Sequence, residues 1–183
     1  LCTAPVDHLV HHMNQLAGVH RAEEIAEIER ACAIGYEMHT TAMKLCKPGV
    51  TEQYIAGVIG GIASAKGCIT SFPSILSMHG EIMHGYPSPR PLEAGRLMLC
   101  DAGAETNENY CSDNTRTTPI NGKFSQRQRD IYNIVAECHR TLVPAVDHHQ
   151  RLAGTRFFIM NIYTVICKEH CHNFSPPVNS LKN

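Results

Sequence analysis

The chain has no run of about 18 apolar residues, the length a helix needs to cross a bilayer, so nothing in it reads as a membrane segment. Its first twenty residues, LCTAPVDHLVHHMNQLAGVH, lack the basic-then-apolar order of a secretory leader. An excess of one charge is missing as well: 16 Lys and Arg against 17 Asp and Glu leave a net charge of −1 with histidine neutral. That balance provides no field to draw nucleic acid or anionic lipid. Cysteine is plentiful at nine, but the count is odd and no two are spaced CxxC. A disulfide framework is therefore not expected, and the thiols read as small buried hydrophobes in a reducing, cytoplasmic setting. What is present is globular in composition: 183 residues, 43% hydrophobic and 18% charged, allow one sizeable core.

The chain opens with residues 1–20, read as a tail or the end of an upstream segment, since Pro5, Gly18 and scattered His give no period. From Glu23 to about Leu45 the apolar positions Ile25, Ile28, Cys32, Tyr36 and Met43 recur at helical spacing, with Glu24, Glu27, Arg30 and Glu37 on the wet side. Lys47-Pro48-Gly49 stops that helix, and Thr51 is placed to cap a second one with Ile55, Val58, Ile59 and Ile62, ending near Lys66-Gly67. Strand character follows at Ile69 to Leu76, Arg96 to Ala104 and Tyr110 to Pro119, the last two joined across Asn107-Glu108-Asn109 as an antiparallel hairpin. Asn121-Gly122 closes the hairpin's second strand. Ser125 with Gln128 forms a capping box that opens a helix carrying Ile131, Ile134, Val135, Cys138 and Leu142, which Pro144 ends. A short echo links residues 46–56 with 142–154; a two-half fold would produce it, although the second half then needs strands after residue 165 that the polar, Pro-containing tail does not offer.

Two carboxylates carry the chemistry. Asp101 directly follows the apolar run Leu97-Met98-Leu99-Cys100, so its charge emerges from a buried strand, where it is costly unless neutralised. A turn near Asn107 sets Asp113 almost opposite it. Two carboxylates at that separation repel unless they share a proton or a cation, and oxygen ligands suit Mn²⁺ or another hard divalent ion. Taken singly, each has a commoner role: Asp101 as a turn residue before Ala-Gly, Asp113 as a surface partner of Arg116. The pairing across one hairpin is what favours metal.

Asp101-Ala-Gly-Ala-Glu105, Ser112-Asp113-Asn-Thr-Arg-Thr-Thr-Pro119, Asn121-Gly-Lys-Phe124 and Gln128 through Tyr132 together resemble the metal hairpin of the pita-bread metallopeptidases. Within that family the pattern is more similar to aminopeptidase P and prolidase than to methionine aminopeptidase. Glu23 through Cys32 resembles the family's first catalytic helix, and Lys47-Pro-Gly-Val-Thr-Glu52 its helix link, so the resemblance spans roughly residues 21–146. It implies an α+β fold, helices on one face of a curved, mainly antiparallel sheet, here as an incomplete pita bread: residues 21–146 form the N-terminal half of a catalytic domain and residues 147–183 a divergent or truncated segment. It further implies two divalent metal ions, Asp101 and Asp113 as the first ligands with Asp113 bridging, and His84, within Gly80-Glu-Ile-Met-His-Gly-Tyr86, as a catalytic histidine that contacts substrate. His79 is a weaker substrate-binding candidate at the same mouth.

The implied activity is removal of an N-terminal residue preceding proline, on a peptide substrate with proline in second position. The alternatives are a prolidase-type Xaa-Pro dipeptidase and a non-catalytic scaffold that binds a peptide or partner. The family completes its metal site with a His and two Glu from its second half, and none is recognisable after residue 146, where Asp147 and Glu169 are the only carboxylate side chains. The chain as given is therefore expected to be inactive, and its open sheet edge to favour a homo-oligomer. Cys167, His170, Cys171 and His172 could ligate zinc, but they lack the two separated knuckles of a structural site and read as adventitious.

Overall fold

A computed structural model describes residues 22–142. The expectations for residues 1–20, for Pro144 as a helix stop, for the second half of the repeat and for the Cys/His tail lie outside the described residues. Helix α1 (Ala22–Leu45) and helix α2 (Glu52–Ala65) form the expected pair, followed by strands β1 (Ile69–Thr70), β2 (Ile75–Ser77), β3 (Leu97–Ala102), β4 (Ala104–Glu105) and β5 (Asn114–Pro119), and helix α3 (Gln126–Leu142). The α+β class is as expected, with every strand pairing antiparallel.

Helix α1 does not bury the stripe of Ile25, Cys32, Tyr36 and Met43. It buries Ala31, Ile34, Gly35, Met38, His39 and Ala42, and leaves Tyr36 71% exposed. Close approach explains the choice. A Cβ at Gly35 would stand 2.9 Å from Ser112 Oγ, and that hydroxyl donates to the carbonyl of Ala31 at 2.9 Å. Only small side chains let the helix settle this near the hairpin; a stripe with tyrosine would hold it off. At the helix's outer end the Tyr110 hydroxyl donates to Glu24 at 2.8 Å, tying the hairpin turn to α1.

Helix α2 begins as expected, the Thr51 hydroxyl accepting from the Tyr54 N–H at 3.2 Å. It sends Ile55, Ile59 and Ala63 inward, while Gly67 takes φ +70° just past its end. The expected strand from Ile69 to Leu76 is two strands. Pro73 lies between them, and proline has no N–H to give a ladder. The stretch from Arg96 to Ala104 is likewise divided at Gly103, and regular pairing on the partner strand starts at Asn114 rather than at Tyr110.

The sheet runs β2-β3-β5, with β1-β4 as a two-stranded extension. Met98, Cys100 and Ala102 of β3 and Leu76 of β2 turn toward the helices and join Met38, Ile55 and Ile59 in one core. Each fully buried Ile, Leu or Met side chain contributes about 1.5–3 kcal/mol of transfer free energy. Leu97, Leu99 and Asp101 point to the opposite, half-buried face. The capping box of α3 forms as expected: the Ser125 N–H donates to Gln128 Oε1 at 2.8 Å, and the Gln128 N–H to Ser125 Oγ at 3.3 Å. Gln128 also donates to the Gly95 carbonyl at 2.9 Å. Among the described residues α3 adds no side chain to the core; Ile131, Val135 and Cys138 are half-buried and Ile134 is exposed.

Candidate functional site

The hairpin that carries both aspartates turns at 106–110, where Asn109 has φ +62° and the Thr106 N–H donates to the Tyr110 carbonyl at 2.9 Å. Its register places Asp101 opposite Thr115, not opposite Asp113. With Glu105 bridging Cys111, the same register sets Asp113 across from Gly103. The two aspartates are thus diagonal neighbours on one face, which the period of two along a strand requires. The Thr115 hydroxyl donates to Asp101 Oδ1 at 2.7 Å and fixes that carboxylate's direction.

Both carboxylates open into a cleft of about 370 Å³ whose lining comprises Phe72, Pro73, Ile75, His84, Tyr86, Asp101 and Asp113. No Lys or Arg is among them. Arg116, the alternative partner weighed for Asp113, points to the other side of β5, where its guanidinium donates to the Thr115 carbonyl at 2.8 Å. Partial burial at the cleft, and then the charge of Asp101 and a hydrogen bond with it, hold the Asp113 carboxyl above its ordinary range. An uncompensated like-charged pair of oxygen donors is the chemistry a divalent cation fits. Among the described residues no group of three or more His, Cys, Asp or Glu side chains stands ready to hold a metal, so these two would be a partial ligand set.

His84 lines the cleft from the long connection between β2 and β3, not from a strand. His79 does not line it. Its Nδ1 lies 2.8 Å from Glu81 Oε1, and its Nε2 lies 3.5 Å from the Arg90 guanidinium.

Sequence reasoning missed Glu52, which is 1% exposed at the first turn of α2. Its Oε1 accepts from the Met78 N–H at 2.8 Å and the Ser77 hydroxyl at 3.2 Å; its Oε2 accepts from the Ser88 N–H at 2.9 Å and the Ser88 hydroxyl at 2.7 Å. Burial pushes the carboxyl up, but the four donors outweigh it and hold it below its ordinary range. Glutamate in a first helical turn is common, so nothing in the residue pattern set this one apart.

Burial also separates the cysteines. Cys46 and Cys100 are buried, their thiols pushed up to about 11 and about 12, in Cys100 by burial first and then by the charges of Asp101 and Cys46. They are inert hydrophobes, as expected, whereas Cys32 and Cys111 are exposed.

The model of metallopeptidase family M24 matches residues 26–160. The chain is 40% identical over 122 residues to the Xaa-Pro aminopeptidase of Escherichia coli K12, a match covering 65% of this chain and 27% of that protein. It is 32% identical over 136 residues to the Xaa-Pro aminopeptidase of Haemophilus influenzae, covering 72% and 31%. Among solved structures, prolidase from Pyrococcus furiosus superposes with a TM-score of 0.68 at 30% identity, over 73% of this chain and 40% of that one. Zinc-substituted E. coli aminopeptidase P in complex with product gives 0.63 at 39% identity, over 67% and 28%. The chain spans 27% of the length of the E. coli relative it matches. With an α+β fold, an aspartate pair in its cleft and a family match over most of its length, this chain belongs to metallopeptidase family M24.

Proposed function

We propose that this chain supplies two metal ligands and one wall of the substrate cleft to a metal-dependent aminopeptidase that removes an N-terminal residue preceding proline. One observation carries the reading: Asp101 and Asp113 open together into one cleft whose lining holds no Lys or Arg. Two divalent ions, Mn²⁺ by preference for oxygen donors, would be held by Asp101 and by Asp113 as the bridging ligand, together with further ligands. When bound, they supply Lewis-acid polarisation of the scissile carbonyl. The chain's own residues do the rest. Thr115 keeps the Asp101 carboxylate aimed into the cleft, and His84 orients the peptide and can hold a proton beside the reacting carbonyl. Phe72, Pro73, Ile75 and Tyr86 give the peptide an apolar wall that sheds water.

The Xaa-Pro aminopeptidases among its relatives support a peptide substrate with proline in second position. The higher identity to E. coli aminopeptidase P, 39% against 30% for the P. furiosus prolidase, favours this reading over a dipeptidase. A scaffold that only binds has no use for a like-charged pair. Among the described residues no helix is long and apolar enough to cross a membrane, which is compatible with a cytoplasmic enzyme.

The test is calorimetric titration of Mn²⁺ into the chain and into its Asp101→Asn, Asp113→Asn double variant. Weak binding that the double substitution abolishes is expected; equal binding by both overturns the assignment. The chain itself is expected not to release the first residue of an Xaa-Pro-Pro peptide. Metal-dependent turnover by it would mean that residues outside 22–142 complete the site.

A further inference from the structure

The connection from Ser77 to Ser88 carries both His84 and Tyr86 to the cleft, yet it has little packing of its own. Ile82, Met83 and Tyr86 are 60%, 45% and 79% exposed. Inside it run backbone turn bonds from the Ile82 N–H to His79 and from the Gly85 N–H to Ile82, and the His79 N–H donates to Ser77 Oγ at 3.0 Å. Its two stems are anchored on different elements. Ser77 pairs with Leu99 in the sheet, whereas Ser88 and Arg90 accept from the Gln53 and Glu52 N–H groups at the start of α2.

We infer that Glu52 is the positioning residue of this cleft: one carboxylate staples the two stems together and so sets where His84 and Tyr86 stand over the aspartate pair. Each oxygen takes one stem, Oε1 at Ser77 and Met78 and Oε2 at Ser88. Two further contacts between the stems are weak. Arg90 reaches His79 at 3.5 Å on the exposed side, and the Glu93 N–H donates to Met78 Sδ, a poor acceptor. The placement of charge at Glu52 is specific. Each of its oxygens faces a backbone N–H, and a backbone N–H cannot rotate away. A glutamine at this position would oppose an N–H with its own NH₂ whichever way it turned, so the substitution of least volume change breaks the staple. The inference rests on the cleft being the catalytic one.

Two measurements on the 183-residue chain test it. The first is amide hydrogen exchange of Glu52→Gln against the parent. Exchange across 78–88 is expected to quicken about tenfold or more, while 97–119 keeps its rate. The second is NMR of the His84 ring with added Mn²⁺, whose paramagnetism broadens nearby nuclei steeply with distance. Broadening in the parent that is much reduced in Glu52→Gln supports positioning; a purely structural role would not move this readout. Ser88→Ala, which keeps the N–H but removes one donor, is the milder second variant and should shift both readouts in the same direction. Unchanged exchange across 78–88, or quickening everywhere, overturns the inference, as does equal broadening in parent and variant. No broadening in the parent would count instead against metal at the aspartate pair, and exchange then decides the staple alone.

Discussion

Replacing Gly103 with alanine is the sharpest test of how the hairpin is held. The added Cβ would stand 1.8 Å from the Ser112 carbonyl oxygen and 2.6 Å from Ser71 Oγ. Ordinary contact needs about 3.5 Å, so the backbone must part by roughly 1.5 Å or more. Four hydrogen bonds meet at that crossing: Ser71 N–H to Gly103, the Ser71 hydroxyl to the Ser112 carbonyl, Ser112 N–H to Ala104, and Ala104 N–H to Ser112 Oγ. At a net worth of about 1 kcal/mol each, losing them costs about 4 kcal/mol. The alanine recovers about 0.5–1 kcal/mol by restricting the unfolded chain. A net loss of about 3 kcal/mol is a large part of the 5–15 kcal/mol typical of a domain. Urea denaturation followed by circular dichroism should show a midpoint lower by about 1–3 M. Gly61→Ala is the control: it lies within α2 with nothing near its Cβ, and should gain about 0.5–1 kcal/mol. A Gly103→Ala midpoint equal to the parent's would show that the crossing relaxes freely and would refute the argument.

Asp113→Asn should stabilise the metal-free chain by about 0.5 kcal/mol, a small figure because this exposed carboxylate is screened by solvent. Its folded pKa is raised, so the penalty exists above that pKa and disappears as pH falls through it toward the ordinary 3.8; thermal melts at neutral and acid pH should show the gain shrinking. Ser125→Ala removes one half of the capping box and should cost about 1 kcal/mol, read as lower helicity by circular dichroism; an unchanged spectrum and midpoint would deny the cap any role. Ile25, Tyr36 and Met43 lie on the exposed side of α1, so the chain should elute at concentration-dependent size and Tyr36→Glu should reduce the effect; a compact, cooperatively melting monomer would contradict this.

Signals local in the chain were legible. The Thr51 cap, the Ser125/Gln128 box, the Asn109 turn and the hairpin between β3 and β5 follow from side chains acting on backbone within a few residues of themselves. Which stripe of α1 turns inward was not. Spacing alone finds Ile25, Cys32, Tyr36 and Met43, whereas the choice of Ala31, Gly35 and Ala42 depends on how near Ser112 comes, a contact between distant parts of the chain. The aspartates were legible as a pair because strand alternation keeps both on one face even though their register is diagonal. Glu52 was not, because its partners at Ser77, Met78 and Ser88 lie more than twenty positions away and meet it only once the fold exists.

The diagonal placement of Asp101 and Asp113 on one hairpin also bears on how the chain reaches its shape. The two lie about a dozen residues apart, so bringing them together costs little closure entropy, and hairpins form within about 1–10 μs. Mutual repulsion works against that closure for as long as both carboxylates are bare. On the proposed reading, a divalent ion met early in folding would remove that brake before the helices dock.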